Sequence, residues 1–232
     1  MEAVPEVPAQ AIETVLPAVS QIRLQEQAYE LLRAAILAGR FLPGQRLDVN
    51  HLAHELRVSP MPVRAALSRL ASDGLVDIQP RRGTFVARFG AADVREVFQL
   101  RRIIECAALE RLDRLTDGVL AEMERIVAES ASLIDGQRFR DYARYVGLDA
   151  SFHRLIVGLL GNGRASEIHE GLRWPVQLTR VVSGTEHHRA PAAVEEHTAI
   201  LRALKDRDAA RAKETVLCHL VNSESDLLSR LA

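Results

Sequence analysis

One aspartate and three histidines in the second half of the chain have the types and spacing of metal ligands. Asp149 and His153 are four residues apart in a strongly helical stretch, so their side chains share one helix face. His197 and His219 lie in two later stretches, each among apolar residues. One carboxylate and three imidazoles from three helices of a bundle form a suitable ligand set for a divalent metal ion.

The alternative interpretation is that these histidines are core residues and do not bind a metal. A lone histidine among apolar residues is more often a hydrogen-bonded core residue than a ligand, and each would then need its own polar partner. The aspartate at i−4 and the coincidence of three such histidines favour the metal. The remaining histidines lack this context and are predicted to lie on the surface: His51, His54, His169, His187 and His188.

The composition favours helices and excludes several classes of protein. The 232 residues are 47% hydrophobic but only 4% aromatic, with much Ala, Leu and Arg. Cys106 and Cys218 are too few for a disulfide framework and are predicted to be small buried apolar residues. No apolar run approaches the roughly 18 residues of a membrane span. Residues 1–19 lack Lys and Arg, which predicts a flexible arm, no signal peptide and a cytoplasmic protein.

Positive charge is concentrated between residues 20 and 90, which contain ten arginines against six acidic residues. The turn and cap residues there predict a helix over 24–39, a short helix capped by Asp48, and another capped by Ser59. VDIQ, the basic turn PRRG and TFVAR then predict a β-hairpin. Helix, helix, turn, helix and hairpin is the order of a winged helix-turn-helix.

The second helix of such a pair enters the major groove of DNA by its N-terminal end, while a basic wing reaches phosphates or the minor groove. The alternative is a helix-turn-helix used for protein contacts, with solvated arginines. The predicted DNA-binding residues are Ser59, Met61, Arg64, Arg69, Arg81, Arg82 and Thr84.

From residue 91 onward the pattern is helical, without a strand signal. The sequence therefore predicts a mainly α protein whose second part is an antiparallel bundle of about six helices. These are predicted over residues 92–115, 117–135, 138–160, 164–183, 190–205 and 208–231.

The stretch PGQRLDVNHLAHELRVSPMPVRAALSRLASDGLVDIQPRRGTFV, within residues 24–88, resembles the DNA-binding domain of the GntR family of bacterial transcription regulators. It has the family's PG-x-x-L, its VS-x-x-PVR-x-AL core and a Gly-Thr wing. It departs at Pro60, where a basic residue is common, and at Ala65, where Glu is commoner. The resemblance implies a homodimer that binds a palindromic operator in double-stranded DNA.

The second part, over about residues 92–230, resembles the FCD-type ligand-binding domain of that family. The matching motifs are Asp149–Phe152–His153, Glu196–His197–Ile200 and His219–Leu220. The resemblance implies that Asp149, His153, His197 and His219 bind Zn²⁺, Ni²⁺, Mn²⁺ or a similar ion, and that a small carboxylate effector completes the coordination.

Arg101 is the first candidate for holding that carboxylate, because a guanidinium can bind it through two hydrogen bonds. The alternative is an intrahelical pair with Glu105, four residues on. Arg102 and Asn222 are weaker candidates for effector binding.

These features predict a metal-containing, ligand-responsive transcriptional regulator, in its simplest form a repressor that senses a small organic acid. Its parts are the arm 1–19, a winged helix-turn-helix over 20–90, and an effector-binding and dimerisation domain over 91–232.

Two alternative functions remain open at this point. One is a metal-dependent hydrolase or lyase fused to a DNA-binding module, although no general base or nucleophile motif accompanies the ligands. The other is a regulator whose metal is purely structural.

Overall fold

The computed structural model describes residues 20–172, 189–229 and 231. The predicted arm 1–19, the end of the predicted helix 164–183, and His187 and His188 lie outside these residues. Within them the fold is mainly helical, with a winged helix-turn-helix followed by a helical part, as predicted. No described helix combines the length and apolarity needed to cross a membrane.

The winged helix-turn-helix contains three helices and a small sheet. Its elements are α1 (Ser20–Leu37), β1 (Arg46–Leu47), α2 (Val49–Leu56), α3 (Pro60–Ser72), β2 (Val76–Gln79) and β3 (Gly83–Val86). The sheet is antiparallel in the order β1-β3-β2, and Thr84 of β3 lies between Leu47 and Ile78. The predicted hairpin is β2–β3. The third strand, β1, was not predicted, because two residues are too short to show an alternating pattern.

The caps of α2 and α3 fix the turn between them. Asp48 accepts hydrogen bonds from the backbone N–H groups of Asn50 and His51, each at 2.9 Å, as an N-cap residue does. Ser59 occupies the N-cap position of α3, but its hydroxyl makes no capping hydrogen bond, contrary to the predicted role. Pro60 is tolerated at the start of α3 because the first N–H groups of a helix have no intrahelical partner.

The core of this part lies between α1, α3 and the sheet. Tyr29 of α1 is buried and donates a hydrogen bond from its hydroxyl to Asp73 Oδ2 at 2.6 Å, which ties α1 to the end of α3. The largest buried side chains around it are apolar: Leu32, Ile36, Val63, Leu67, Leu70, Leu75 and Val86.

The second part is helical, with boundaries that differ from the sequence prediction. Its elements are α4 (Ala91–Ala108), a 3₁₀ helix (Leu109–Arg114), α5 (Asp117–Ser132), β4 (Ile134–Asp135), β5 (Arg138–Phe139), α6 (Tyr142–Gly158), α7 (163–172), α8 (Ala190–Lys205) and α9 (Ala209–Leu228). The predicted helix 92–115 is interrupted because the backbone of Arg111 is non-helical. The expectation of no strand is also wrong, since β4 and β5 pair in an antiparallel ladder before α6.

The helices enclose one large apolar cluster. Arg102 of α4 contacts Glu224 of α9, and Glu110 near the end of α4 contacts Lys213 near the start of α9, so these two helices run antiparallel. The fully buried members of the cluster include Phe98, Leu109, Met123, Ile126, Phe152, Ile156 and Ile200. This packing places one face of each of α4, α6, α8 and α9 against the same interior.

Candidate metal centre and nucleic-acid interface

Three helices bring the four predicted ligands together. Asp149 and His153 lie on α6, His197 on α8 and His219 on α9, and one ligand atom of each lies within 4.8 Å of the others. The three histidines are buried, with 1%, 1% and 3% of their surface exposed. The Asp149 side chain is 18% exposed, so the carboxylate lies on the open side of the cluster.

Hydrogen bonds fix how two of the imidazoles are oriented. His153 Nδ1 lies 2.7 Å from Glu105 Oε2, and His219 Nδ1 lies 2.7 Å from Glu196 Oε2. An ionised carboxylate can only accept, so each Nδ1 carries the proton and each Nε2 offers a lone pair. The nitrogen atom that carries this lone pair is the one that binds a metal ion.

The Nε2 atoms of His153 and His197 are buried and have no hydrogen-bond partner in the described part of the chain. They lie 3.8 and 3.5 Å from Asp149 Oδ1. Buried nitrogen atoms without a partner are costly, and native proteins rarely leave them so. A cation between Asp149 Oδ1 and these nitrogens would satisfy them, so the residues present fit a divalent metal ion.

His197 is held differently from the other two imidazoles. Its ring stacks on Phe152, with the ring centroids 4.5 Å apart and the planes 24° from parallel. The ring centroid also lies 5.3 Å from that of His153 and 4.7 Å from that of His219. Aromatic packing rather than a carboxylate therefore orients this ligand.

The environment keeps two of the imidazoles neutral. Burial, and then the neighbouring His219, hold the pKa of His197 well below its usual value. Burial, and then His153, do the same to the pKa of His219. Neutral imidazole is the form that coordinates metals, so His197 and His219 are ready to bind without first losing a proton.

Glu105 of α4 is a fully buried carboxylate at the centre of three polar contacts. Besides His153, its Oε1 atom accepts from Arg101 Nε and contacts His169 Nε2, both at 2.9 Å. Burial raises the pKa of Glu105, but Arg101 and His153 outweigh burial and hold it well below its usual range. Glu105 is therefore ionised. The prediction that His169 lies on the surface is wrong: this residue of α7 is only 8% exposed.

The three residues predicted to bind the effector differ in their burial and in their partners. Arg101 is 8% exposed and makes the intrahelical pair with Glu105 that the sequence offered as an alternative. Arg102 forms an ion pair with Glu224 of α9, and its role in effector binding stays a prediction. Asn222 is exposed and donates to Glu196 Oε1 at 2.8 Å, so it supports the residue that holds His219.

Arg189 was not identified from the sequence, and Glu196 was identified only as part of a motif, without a role at the site. Arg189 donates to Glu196 Oε1 at 2.5 Å and to Ser223 Oγ at 3.0 Å. Glu196 precedes His197 on α8, yet it contacts the other helix, α9, through His219. Only the pairing of α8 with α9 makes this contact visible, and no spacing in the sequence indicates it.

The predicted nucleic-acid face combines the start of α3 with the tip of the β2–β3 wing. Ser59, Met61 and Arg64 are exposed there, and Met61 shows 66% of its surface. Arg81 and Arg82 are exposed at the wing tip, where Arg81 has a positive φ of 63°. These side chains are accessible to a DNA duplex. Thr84 is only half-exposed.

Arg69, which was also predicted to bind DNA, has partners within the protein, and its role in DNA binding stays a prediction. It lies in the last turn of α3, where it pairs with Glu26 at 2.5 Å and stacks over the Tyr29 ring at 3.9 Å from the centroid. Both partners belong to α1. The guanidinium is thus engaged within the helix-turn-helix, at the C-terminal end of α3.

Comparison with known families decides the identity of the chain. A model of the bacterial regulatory proteins of the gntR family matches residues 24–86, and a model of the FCD domain matches residues 96–222. The chain belongs to the GntR family and carries an FCD domain. This GntR-family chain is therefore a DNA-binding transcriptional regulator with a ligand domain.

Relatives of this GntR-family regulator agree with that identity. The HTH-type transcriptional regulator YdhC of Bacillus subtilis is 29% identical over 194 residues, covering 83% of this chain and 86% of YdhC. The HTH-type transcriptional repressor RspR of Escherichia coli K12 is 28% identical over 198 residues, covering 85% and 86%. A crystal structure of a GntR regulator from Rhodococcus sp. RHA1 superposes with a TM-score of 0.75 at 26% identity, covering 88% of this chain and 97% of that one. These matches confirm a regulator and not an enzyme.

Proposed function

We propose that this GntR-family regulator is a homodimeric repressor that releases a palindromic operator when a small organic acid binds beside a metal ion. Residues 20–90 bind DNA, through the start of α3 and the wing, and residues 91–232 bind the effector and form the dimer. The two parts have separate apolar clusters, which supports this division. The observation that carries the proposal is that Asp149, His153, His197 and His219 converge, with the buried Nε2 atoms of His153 and His197 lacking a hydrogen-bond partner among the described residues.

The metal ligands in this proposal are Asp149, His153, His197 and His219. An oxygen and three nitrogens accept several first-row divalent ions, and Zn²⁺, Ni²⁺ and Mn²⁺ are the candidates. The bound ion supplies positive charge and coordination positions that an anionic oxygen can fill. Asp149 lies on the exposed side of the cluster, so an effector reaches the ion from that side.

Arg101 is the protein group that holds the effector's carboxylate. Its contact with Glu105 uses Nε, and among the described residues no partner engages its terminal Nη atoms. It lies close enough to His219 to lower the pKa of that imidazole. Because Arg101 bonds to Glu105 through Nε, its two Nη atoms can donate a pair of hydrogen bonds to a carboxylate next to the ligand cluster.

Fluorescence anisotropy with DNA from the region upstream of the regulator's own gene tests this function. We expect salt-sensitive, sequence-preferring binding by the metal-loaded protein. In a series of small mono-, di- and tricarboxylic acids, at least one should weaken that binding. The Arg101→Met variant should keep operator affinity but need a higher concentration of the acid. Binding without any sequence preference, or release that no acid produces, would reject the proposal.

Dimerisation is proposed through an exposed apolar strip on the antiparallel pair α4–α9. Leu100 and Ile103 of α4 are 43% and 59% exposed, and Val221 of α9 is 50% exposed. The Arg102–Glu224 contact joins the two helices here, and Ile103 and Val221 each lie within one turn of a partner in this contact. Exposed aliphatic side chains grouped in this way are typical of protein interfaces.

We expect Ile103→Glu to shift the protein from dimer to monomer in sedimentation velocity, because two buried carboxylates would face each other across a symmetric contact. Ile168→Glu is the matched control, since Ile168 is 56% exposed on α7, outside the strip. Equal dimer fractions for the two variants would show that the strip is not the interface.

A further inference from the structure

The two carboxylates behind the ligand cluster form a repeated arrangement. Glu105 contacts His153 on one side and Arg101 on the other. Glu196 contacts His219 on one side and Arg189 on the other. In both cases the glutamate contacts an imidazole of another helix through Oε2 and a guanidinium through Oε1. The two glutamates themselves lie on different helices, α4 and α8.

We propose that Glu105 and Glu196 are positioning residues of the metal site, which fix the Nδ1-protonated form of His153 and His219 and direct both Nε2 atoms toward the ion. This inference rests on the proposed metal site and assigns it two further residues. Neither glutamate is itself a ligand, because each is engaged with the far edge of an imidazole ring.

The orientation of both rings is set by a short contact with a carboxylate. Both Nδ1···Oε2 distances are 2.7 Å, short enough for a charge-assisted hydrogen bond. A half-turn of either ring about its Cβ–Cγ bond would put Cδ2 where Nδ1 lies and break that bond. The carboxylates therefore select one orientation and one tautomer before any ion arrives, which reduces the entropy lost on coordination.

Arginines hold both carboxylates in place. Glu105 is fully buried, where a carboxylate without a partner would favour its protonated form. Arg101 supplies the compensating charge at 2.9 Å, and His169 adds a further contact to the same oxygen. Glu196 is held by Arg189 and by the amide of Asn222.

His197 provides a comparison within the same cluster, because its ring is held differently from those of His153 and His219. Neither of its ring nitrogens has a hydrogen-bond partner among the described residues, and stacking on Phe152 holds the ring. Removing a glutamate should therefore disturb His153 or His219 and leave the ring of His197 oriented. This selectivity separates a positioning role from a general loss of packing.

The test measures Zn²⁺ affinity of the full chain by competition with a chromophoric chelator. We expect Glu105→Gln and Glu196→Gln each to weaken Zn²⁺ binding by about 10–100-fold, the usual effect of removing such an orienting partner. Glu224→Gln is the matched control, because Glu224 also pairs with an arginine, Arg102, but contacts no ligand in the described residues. Its affinity should equal that of the unmodified protein. Glu196 is 16% exposed, so its variant stays informative if Glu105→Gln fails to fold.

Ring-nitrogen NMR supplies a readout that a purely structural role would not move. In the Zn²⁺-loaded protein, His153 and His219 should show a protonated Nδ1 and a coordinated Nε2. Glu196→Gln should change this signature for His219 only. Two results would overturn the inference: unchanged Zn²⁺ affinity in both glutamine variants, or unchanged ring signatures. If the unmodified chain binds no Zn²⁺, Ni²⁺ or Mn²⁺, the metal site itself fails and this inference fails with it.

Discussion

Removing the metal with a chelator is expected to lower the melting temperature of this regulator by roughly 10 °C. An ion present at about a thousand times its dissociation constant stabilises the folded state by about 4 kcal/mol. For a protein of this size, each kcal/mol corresponds to roughly 2–4 °C. The ligands come from α6, α8 and α9, so their release loosens three helices at once. Thermal denaturation of tag-free protein with and without chelator measures the effect.

His197→Ala removes one of the four proposed ligands and should abolish this dependence on chelator. The variant should melt at the same temperature with and without chelator and retain little metal after dialysis. His54→Ala is the matched control, because His54 is an exposed histidine of α2, outside the ligand cluster. A chelator effect that persists in His197→Ala, or one that is absent from the unmodified protein, would contradict the assignment of the ligands.

Arg64→Ala is expected to weaken operator binding by about 1–3 kcal/mol and to relax the preference for the operator over other sequences. Arg64 is exposed near the start of α3, the end that a recognition helix inserts into the major groove. Arg81→Ala at the wing tip should instead weaken binding to all sequences alike and reduce the salt dependence. Anisotropy titrations on operator and scrambled duplexes at several salt concentrations distinguish these two effects.

Arg69→Ala provides the decisive comparison on the same helix. Arg69 is bonded to Glu26 and stacked on Tyr29, so its loss should reduce the stability of the helix-turn-helix more than its DNA specificity. If Arg69→Ala relaxed operator specificity as strongly as Arg64→Ala, the assignment of the groove-facing end of α3 would be wrong.

Local patterns predicted much of this architecture correctly. The helix predicted over 190–205 matches α8, because a proline near its start and apolar residues at helical spacing mark it clearly. Asp149 and His153 share a face of α6 as their spacing requires. The strands β4 and β5 were missed because each has two residues, too few for an alternating pattern.

Contacts between distant helices could not be derived from the sequence. The spacing of Arg101 and Glu105 did indicate an intrahelical pair, and that pair is present. The same carboxylate also contacts His153, 48 positions later, and His169, 64 positions later. His169 stands alone on a short amphipathic segment, so its burial depends on how α7 packs against α4. Such long-range partners follow from helix packing rather than from spacing.

We propose that Asp149, His153, His197 and His219 hold a metal ion in the ligand domain of this GntR-family regulator. A crystal structure of tag-free protein, with anomalous data at the absorption edges of Zn, Ni and Mn, tests this proposal. We expect one strong peak per chain, about 2.0–2.2 Å from Asp149 Oδ1 and from the Nε2 atom of each histidine. Ordered waters bonded to those nitrogens, with no anomalous peak at any of the three edges, would contradict it.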